Sequence, residues 1–289
     1  MLQTNAMQDF QAFIAPAKIN LFLHITGQRA DGYHTLQSVF QLLDFCDTLN
    51  IKPTKNGEIK RINDISGVPA SQCLCALAAS ALQQKTGCKL GVEYVIDKRI
   101  PMGGGLGGGS SDAATMLIAL NHLWQTDLSR EELMQIGLKL GADVPVFIFG
   151  QAAWAEGVGE ILSPINLPEQ YYVVLTPQVH VSTAQVFANS TLTRDTKPLK
   201  IADFSSGAYS SGFRNDLEAV VCKEFSAVAT TLKWLNQFGL ARMSGSGASV
   251  FVAVNSKQSA DELLAKKPAN TTGFVAKGIV KHPHYALTR

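Results

Sequence analysis

A glycine-rich stretch in the first half of the chain limits most strongly how this protein can fold. Six of the seven residues from 103 to 109 are glycine, between a strand-like segment and a helix-like one. Glycine lets the backbone approach a ligand closely, and the first turn of a helix offers free N–H groups and a positive dipole end. The stretch therefore predicts a phosphate-binding loop, in which Ser110, Ser111 and Asp112 cap the helix or contact phosphate or Mg²⁺.

Two common phosphate-binding motifs are excluded by the residues around this loop. A Walker loop requires Lys and then Ser or Thr after its last glycine, whereas Gly109 is followed by Ser110 and the loop has no lysine. A protein-kinase glycine loop would be accompanied by H-R-D and D-F-G segments, and the sequence has neither. A flexible Gly/Ser linker is also a poor interpretation, because linkers are not usually bracketed by a strand and an amphipathic helix.

The dinucleotide pattern G-x-G-x-x-G is satisfied literally by Gly103, Gly105 and Gly108. That pattern also needs an acidic residue at the end of a second strand, about twenty residues further on. The nearest candidate is Asp127, and it precedes a capping box at 129–132 that opens another helix. The sequence therefore argues against a dinucleotide site.

Composition is that of an ordinary soluble globular protein. The length of 289 residues is enough for one large or two medium domains, and 46% hydrophobic with 17% charged residues is ordinary for a globular protein. The formal net charge of +2 gives no indication of a nucleic-acid or membrane partner. Residues 1–10 lack a signal-peptide pattern, and no apolar run has the length of a membrane span. The cysteines are odd in number and form no C-x-x-C pair, so we expect reduced core residues in a cytoplasmic protein. They are Cys46, Cys73, Cys75, Cys88 and Cys222.

Hydrophobic periodicity predicts strands and helices without a regular βα repeat, which favours the α+β class. Strand-like segments lie at 13–25, 39–45, 48–52, 91–97, 146–149, 154–162, 171–176 and 273–280. Helical patterns follow caps at 71, 129, 182–183, 215–216 and 259, with stops at the glycines at 87, 141 and 239. The segment 191–211 is expected to be a long loop. A glycine pair at 245 and 247 within a strand pattern indicates a bulge or a close approach of backbone.

The strand at 13–25 alternates between two kinds of residue. Positions 19, 21, 23 and 25 are Ile or Leu and are expected to face the core. The opposite face carries Lys18, Asn20, Phe22 and His24, and polar residues in this register indicate that it faces something other than the core.

Taken together, these motifs resemble the GHMP small-molecule kinases over most of the chain. The resemblance is carried by Pro-Ala-Lys-Ile-Asn at 16–20, Arg-Ala-Asp-Gly-Tyr-His at 29–34, the loop at 101–111, Gly-Ala-Asp-Val-Pro at 141–145, Glu-Gly-Val-Gly-Glu at 156–160 and Ser-Gly-Ser-Gly-Ala at 244–248. It implies a two-domain α+β GHMP-kinase fold with the active site in the interdomain cleft. The expected domains are 1–150, with the glycine-rich ATP loop, and 151–289, which contributes to substrate binding.

The Lys-x-Asn and Gly-Tyr-His segments narrow the resemblance to family members that act on a cytidine-diphosphate-linked alcohol. This narrower resemblance implies that the protein uses ATP and Mg²⁺ to phosphorylate the 2-hydroxyl of a cytidine-diphosphate-linked methylerythritol, in the non-mevalonate route to isoprenoids. Transfer would be direct and in line, without a covalent enzyme intermediate. The expected partner is this small molecule alone, and the protein is expected to be a cytoplasmic monomer or weak homodimer.

The resemblance also assigns catalytic roles to individual residues. Asp143 would take the proton of the substrate hydroxyl or orient it, and Lys18 would keep that carboxylate ionised and stabilise developing negative charge. Asn20 would orient the acceptor or Lys18. From the residues alone, Asp143 fits equally a turn or cap aspartate after Gly141, and Lys18 fits a solvated strand lysine.

Substrate and nucleotide contacts follow from the same resemblance. Tyr33, His34 and Phe187 would stack on or bond the base, and Gly245 and Gly247 would let backbone N–H groups approach the substrate. Phe187 alone also fits a core position, His34 a surface turn, and the glycine pair a plain bulge. The residues that would bind ATP are Pro101, Met102, Gly103, Gly104, Gly105, Leu106, Gly107, Gly108, Gly109, Ser110 and Ser111. The metal ligands stay unassigned.

Other functions are compatible with parts of this sequence. A GHMP kinase for another small alcohol, such as mevalonate or homoserine, would lack discrimination for cytidine. A catalytically silent nucleotide sensor would bind ATP without turnover, although intact Lys18 and Asp143 argue against it. A dinucleotide oxidoreductase would bind NAD and release no ADP.

Overall fold

Two long antiparallel strands near the N-terminus form the frame on which the rest of the chain is assembled. The computed structural model describes residues 9–205 and 212–288. Strand β1 (Gln11–Gln28) pairs with β2 (His34–Thr54) along its whole length, with shifts in register between 16 and 18, 20 and 22, and 25 and 27. The strand-like segments predicted at 39–45 and 48–52 are therefore parts of one strand.

The remaining strands are β3 (Ile59–Arg61), β4 (Gly91–Asp97), β5 (Ala153–Glu156), β6 (Ile161–Pro164), β7 (Tyr171–Pro177), β8 (Arg242–Met243), β9 (Val250–Val254) and β10 (Thr271–Ile279). The helices are α1 (Leu74–Thr86), α2 (Gly108–Leu123), α3 (Arg130–Leu140), α4 (Val144–Phe149), α5 (Thr183–Ala188), α6 (Ile201–Ser205), α7 (Glu218–Glu224), α8 (Ser226–Leu235) and α9 (Lys257–Ala265). This mixture confirms the predicted α+β class.

Strand β10 connects the early and late strands into one sheet. Its residues 271–277 pair with β7, and its last two residues, Gly278 and Ile279, pair with β2. The order is β3-β4-β2-β10-β7-β9-β8, with β1 and β5 also paired to β2. Since β5 and β6 follow residue 150 and β5 pairs with β2, strand pairing continues across the proposed domain boundary at 150, and that boundary stays a prediction.

Helix α2, which follows the glycine loop, is the central helix of the first half. Residues 111–121 are buried without interruption, so the helix is enclosed on all sides rather than on one stripe. It packs against β1 and β2 and against the helices α1, α3 and α4. The glycine loop is thereby attached to a buried helix at the centre of this core.

The strand predicted at 146–149 is wrong, since these residues lie in α4. A short, wholly apolar run has no periodicity that distinguishes a buried strand from a buried helix. Pro145 lies in the first turn, where its missing N–H has no cost, and Gly150 ends the helix in the left-handed conformation. Burial against α2 and α3 gives every face of the run an apolar environment.

Several predicted boundaries shift. Helix α1 begins after Cys73 rather than at a cap on Ser71, and α9 is capped by Ser256, whose hydroxyl accepts the N–H of Ser259. The helix predicted from 215–216 to 238 is divided into α7 and α8 at Phe225. The strand predicted at 154–162 is two strands separated by a turn at 157–160, and the loop predicted at 191–211 contains α6, with 206–211 outside the described residues.

Two predicted helix ends are confirmed. Helix α3 has a complete capping box between Ser129 and Glu132, and Gly87 ends α1 in the left-handed conformation. All the cysteines are free thiols, but only Cys73 and Cys75 are buried, whereas Cys46, Cys88 and Cys222 are half-buried, so the predicted core position is correct for two of the five. Among the described residues, no helix combines the length and apolar character that crossing a bilayer requires.

Arg130 ties the C-terminal segment to the helices beneath it. Its guanidinium donates to the carbonyl oxygens of Ile148 and Phe149 at the end of α4, and to those of Tyr285 and Thr288. It also lies 3.9 Å from the centre of the Tyr285 ring. One planar side chain therefore joins α3, α4 and the end of the chain.

We predict that Arg130→Met lowers the free energy of unfolding by about 2 kcal/mol, because partly buried carbonyl groups lose a charged donor. Lys139→Met at the exposed end of the same helix is the control and should change stability by less than about 0.5 kcal/mol. Urea unfolding followed by circular dichroism measures both. Equal stability of the two variants would show that the C-terminal segment does not depend on Arg130.

A buried lysine lies between two carboxylates below the glycine loop. Lys98 Nζ donates to Asp47 and, at 2.8 Å, to Asp112. Asp47 also accepts the N–H groups of Arg99 and Ile100, so its negative charge is stabilised by more hydrogen bonds than that of Asp112. Burial raises the pKa of Asp112 to about 7, against the opposing effect of Lys98.

We predict that Asp112→Asn flattens the pH dependence of stability. With a raised pKa in the folded state, Asp112 contributes stability that is present at low pH and lost as the pH rises from about 4 through 7. The difference in free energy of unfolding, variant minus wild type, should therefore be larger at pH 7 than at pH 5 by at least about 1 kcal/mol. Asp261→Asn, on the exposed face of α9, is the control. Parallel curves for wild type and Asp112→Asn would contradict the raised pKa.

Candidate functional site

The glycine loop separates two cavities. The large cavity has a volume of about 870 Å³, and the small cavity about 370 Å³. Gly103, Gly105 and Ser110 line both, so a group bound at the loop can be reached from either side. The small cavity is lined by 101–110 together with Ile65, Val68, Gln72, Cys73, Leu74, Cys75, Ile96, Lys98, Ile100 and Asp112.

The large cavity brings together every residue that the sequence analysis assigned to catalysis or substrate binding. These residues come from β1, the turn after it, the start of α4, α5 and the β8–β9 loop. They are Lys18, Asn20, Tyr33, His34, Asp143, Phe187, Gly245 and Gly247. The sequence positions span most of the chain, so their convergence is a property of the fold.

Lys18 and Asp143 form an ion pair at the wall of the large cavity. Lys18 Nζ lies 3.3 Å from Asp143 Oδ2, and the lysine side chain is 3% exposed whereas the aspartate is 39% exposed. Lys18 is therefore not a solvated surface lysine, and the carboxylate remains accessible to a ligand in the cavity. The ammonium also lies 5.4 Å from the centre of the Phe40 ring.

A chain of hydrogen bonds fixes the position of Lys18. Its ammonium donates to Asn20 Oδ1 at 2.7 Å, and Asn20 Nδ2 donates to Ser38 Oγ at 2.8 Å. Ser38 Oγ in turn donates to the carbonyl oxygen of Phe22 at 2.6 Å. Each polar group has its partner, so the lysine has little freedom to leave the aspartate.

Asp143 stands at the N-cap position of α4, but its side chain makes no capping hydrogen bond. The alternative interpretation from sequence, a cap aspartate, is therefore correct about the position of Asp143, but its side chain does not cap the helix. Its carboxylate interacts with Lys18 and faces the large cavity instead.

The two glycine-rich segments meet backbone to backbone. Ser244 Oγ donates to the carbonyl oxygen of Gly105 at 2.9 Å, and the N–H of Ser249 donates to that of Gly104 at 3.1 Å. Gly105, Gly245 and Gly247 all have positive φ. The sequence left two interpretations of the glycine pair at 245 and 247, a bulge or a close approach of backbone. The structure contains the close approach.

The loop residues assigned to ATP divide into two groups. Pro101 to Ser110 line the small cavity, whereas Ser111 lines neither cavity. Ser111 is fully buried, and its hydroxyl has no hydrogen-bond partner in the described structure. Within the described ranges, no three His, Cys, Asp or Glu side chains are placed to hold a metal ion. These residues fit a Mg²⁺ ion bound mainly by phosphate and water, with a serine hydroxyl as a protein ligand.

The aromatic residues Tyr33, His34 and Phe187 line the large cavity, and two of them are in contact with each other. The rings of His34 and Phe187 are 5.1 Å apart with an angle of 36° between their planes, and Tyr33 is 63% exposed. Phe187 is half-buried and also packs against a hydrophobic core cluster that includes Val181, Val186 and Leu217, so it belongs to both the core and the cavity wall. His34 is not an isolated surface residue.

Sequence reasoning missed several residues at the site. Arg194 donates from Nε to His34 Nε2 at 3.0 Å. The pKa of His34 is lowered mainly by burial and, to a smaller extent, by the positive charge of Arg194. Arg194 lies in an aperiodic polar segment, so no sequence pattern indicated it. Cys73 was assigned to the core, and although buried it also lines the small cavity. His180, beside Gly103, was not assigned at all.

We predict that Gly105→Ala separates the two glycine-rich segments. A Cβ at this position would lie 2.1 Å from the carbonyl oxygen of Ser244, and φ is +72°, so the clash and the strain together should cost about 2–3 kcal/mol. Gly109→Ala is the control, because its Cβ would meet nothing closer than 3.7 Å and Ala favours a helix. The midpoint temperature of thermal unfolding should fall for Gly105→Ala and stay unchanged for Gly109→Ala. A Gly105→Ala protein as stable as wild type would show that this contact is loose.

Comparison with known proteins identifies the family. The family model of the GHMP kinases N terminal domain matches residues 73–151, and that of the GHMP kinases C terminal matches 191–269. A relative from Burkholderia orbicola (strain MC0-3), named 4-diphosphocytidyl-2-C-methyl-D-erythritol kinase, is 51% identical over 98% of this chain and 99% of its own length. A relative of the same name from Herminiimonas arsenicoxydans is 54% identical over 93% of this chain and 95% of its own.

A solved structure agrees with this assignment. The crystal structure of a 4-(cytidine 5'-diphospho)-2C-methyl-D-erythritol kinase is similar with a TM-score of 0.78 and 31% sequence identity, over 93% of this chain and 100% of that one. With both family models matched and full-length relatives at about half identity, the chain belongs to the GHMP kinases.

Proposed function

We propose that the protein phosphorylates the 2-hydroxyl of 4-diphosphocytidyl-2-C-methyl-D-erythritol with ATP, in the methylerythritol phosphate pathway to isoprenoids. The observation that carries the proposal is the buried Lys18 beside the accessible Asp143, in a cavity that also holds an aromatic pair. The names and full-length similarity of the relatives support the same substrate. A volume of about 870 Å³ suits a ligand of this size.

The two cavities suit the two substrates of a kinase. The nucleotide would bind on the side of the small cavity, with its phosphates at the glycine loop and the first N–H groups of α2. The alcohol would bind in the large cavity. Gly103, Gly105 and Ser110 line both, and they stand where the transferred phosphoryl group must pass.

Transfer would occur in one in-line step. The oxygen of the 2-hydroxyl attacks the γ-phosphorus, the bond to the leaving ADP oxygen breaks, and the hydroxyl proton passes to the Asp143 carboxylate. Because the transition state of phosphoryl transfer is loose, the nucleophile needs little activation, and Asp143 also acts by orienting the hydroxyl. Lys18 holds Asp143 in place and stabilises negative charge on the transferred group.

Magnesium would be held by ATP oxygens, water and the hydroxyl of Ser110, which lines both cavities, whereas Ser111 lines neither. When bound, the ion neutralises charge on the β- and γ-phosphates. The protein's own contribution is to position the two substrates and to exclude water from the reacting oxygen.

The cytosine would bind between Tyr33 and Phe187, with His34 at its edge. Stacking on an aromatic ring contributes about 1–3 kcal/mol per base, so this end of the cavity would determine much of the affinity. The exposed ring of Tyr33 is then a surface that the base covers.

The experiment that tests this proposal is ADP release from Mg-ATP by the purified protein, with 4-diphosphocytidyl-2-C-methyl-D-erythritol, its uridine analogue, mevalonate or homoserine as acceptor. Selective turnover of the cytidine compound is expected. Turnover of mevalonate or homoserine instead would replace the substrate, and ATP binding without turnover of any acceptor would indicate a nucleotide sensor.

We predict that Asp143→Asn lowers kcat by about 10²–10⁴-fold, the usual size of a general acid–base contribution. The dissociation constant of the cytidine substrate should change by less than about threefold, because Asp143 is not among the residues proposed to contact the base. Isothermal titration without ATP and steady-state kinetics separate the two effects. The control is Asp31→Asn, an exposed carboxylate that lines the same cavity and pairs with Arg29. Near-normal turnover by Asp143→Asn would remove Asp143 from the catalytic role.

A further inference from the structure

The histidine of the proposed base subsite is held by an arginine from a distant part of the chain. Arg194 donates from Nε to His34 Nε2 at 3.0 Å. The same guanidinium donates to the carbonyl oxygens of Leu192, Phe187 and Asn189 at 3.1, 2.9 and 2.9 Å. The arginine thus joins the end of α5 to the start of β2, and its position is fixed independently of any ligand.

We propose that Arg194 determines which nitrogen of His34 carries the proton, and that this selects cytosine over uracil at the base subsite. The inference rests on the proposed function, since it names the group that reads the base of that substrate. Arg194 is a positioning residue in this account, because it acts through His34.

The first step is the tautomer. Arginine is always protonated and has no acceptor, so its hydrogen bond requires a lone pair on His34 Nε2. A neutral imidazole without a proton on Nε2 must carry it on Nδ1. Charge acts in the same direction, since burial and Arg194 both lower the pKa of His34 and oppose the doubly protonated ring. Within the described part of the chain, no residue accepts a hydrogen bond from Nδ1, so that N–H is free for a ligand.

The second step is the base. Cytosine presents an acceptor at N3, whereas uracil presents an N–H at the same position. A fixed N–H donor therefore bonds cytosine N3 and meets a second donor in uracil, which leaves both groups unpaired. The opposite tautomer of His34 would present an acceptor and favour uracil N3–H. The proton position thus sets the direction of the preference.

The third step is why an arginine is needed. Three of its N–H groups are occupied by backbone carbonyls, and these hold the fourth in line with His34. Lysine has a flexible stem and no planar arrangement of donors, so it would not fix the ring in the same way. The anchoring carbonyl of Phe187 belongs to the residue proposed to stack on the base, so stacking and edge recognition share one support.

The test compares kcat/KM for the cytidine and uridine substrates in the wild type and in Arg194→Met. We expect the cytidine preference to fall at least about tenfold, because a His34 released from Arg194 can take the other tautomer and accept the N3–H of uracil, which raises kcat/KM for the uridine substrate. The KM and kcat for the cytidine substrate should each change by less than about twofold. Arg214→Met is the matched control, because Arg214 also bonds this segment, at Thr196 Oγ1, but does not contact His34. It should keep the wild-type preference.

A second measurement does not depend on the variant. In ¹⁵N spectra of the wild type, His34, assigned by its loss in His34→Gln, should show a protonated Nδ1 and an unprotonated Nε2. A protonated Nε2, or an unchanged cytidine preference in folded Arg194→Met, would overturn the proposal. If the wild type does not turn over the cytidine substrate, the proposed function fails, while the spectra still decide the tautomer.

Discussion

The hydroxyl of Ser244 joins the three segments on which the whole site depends. It is fully buried, accepts the N–H of Asn20 at 3.3 Å, and donates to the carbonyl oxygen of Gly105 at 2.9 Å. Strand β1, the glycine loop and the β8–β9 loop therefore meet at one atom. Because β1 carries Lys18 and the glycine loop leads into the buried helix α2, this contact fixes the distance between the lysine and the wall that separates the two cavities.

Glycine at these contacts follows from geometry. A Cβ at Gly245 would lie 3.2 Å from the carbonyl oxygen of Gly105 and 3.4 Å from Lys18 Nζ, and φ is positive there, where other residues are strained. At Gly107, a Cβ would lie 2.7 Å from the ring of Phe147. The glycines thus do more than provide a flexible loop, since they let the backbone pack against α4 and against the lysine side chain.

Local features of the site could be predicted from sequence, and tertiary ones could not. The strand β4, the glycine loop and the cap of α3 are specified by residues close together in the chain, and all were predicted. The apolar run in α4 was assigned wrongly because burial on every face removes the periodicity that distinguishes helix from strand. Arg194 was missed because its role arises from contacts with His34 and with backbone carbonyls, and a polar loop has no pattern that indicates such contacts.

The same distinction separates the two ends of the proposed active site. Phosphate binding as proposed would use backbone N–H groups of one local loop, so a short motif is sufficient to encode it. Base recognition as proposed would use side chains from the turn at Tyr33, β2 and α5, together with Arg194, and their mutual positions are set only when the fold is complete. On this proposal, a chain that keeps the glycine loop could change its base subsite through remote positions such as 194 without altering phosphoryl transfer. Motifs at both ends, the glycine loop and the Gly-Tyr-His segment, carry the resemblance in sequence, whereas the contact of Arg194 with His34 is evident only in the fold.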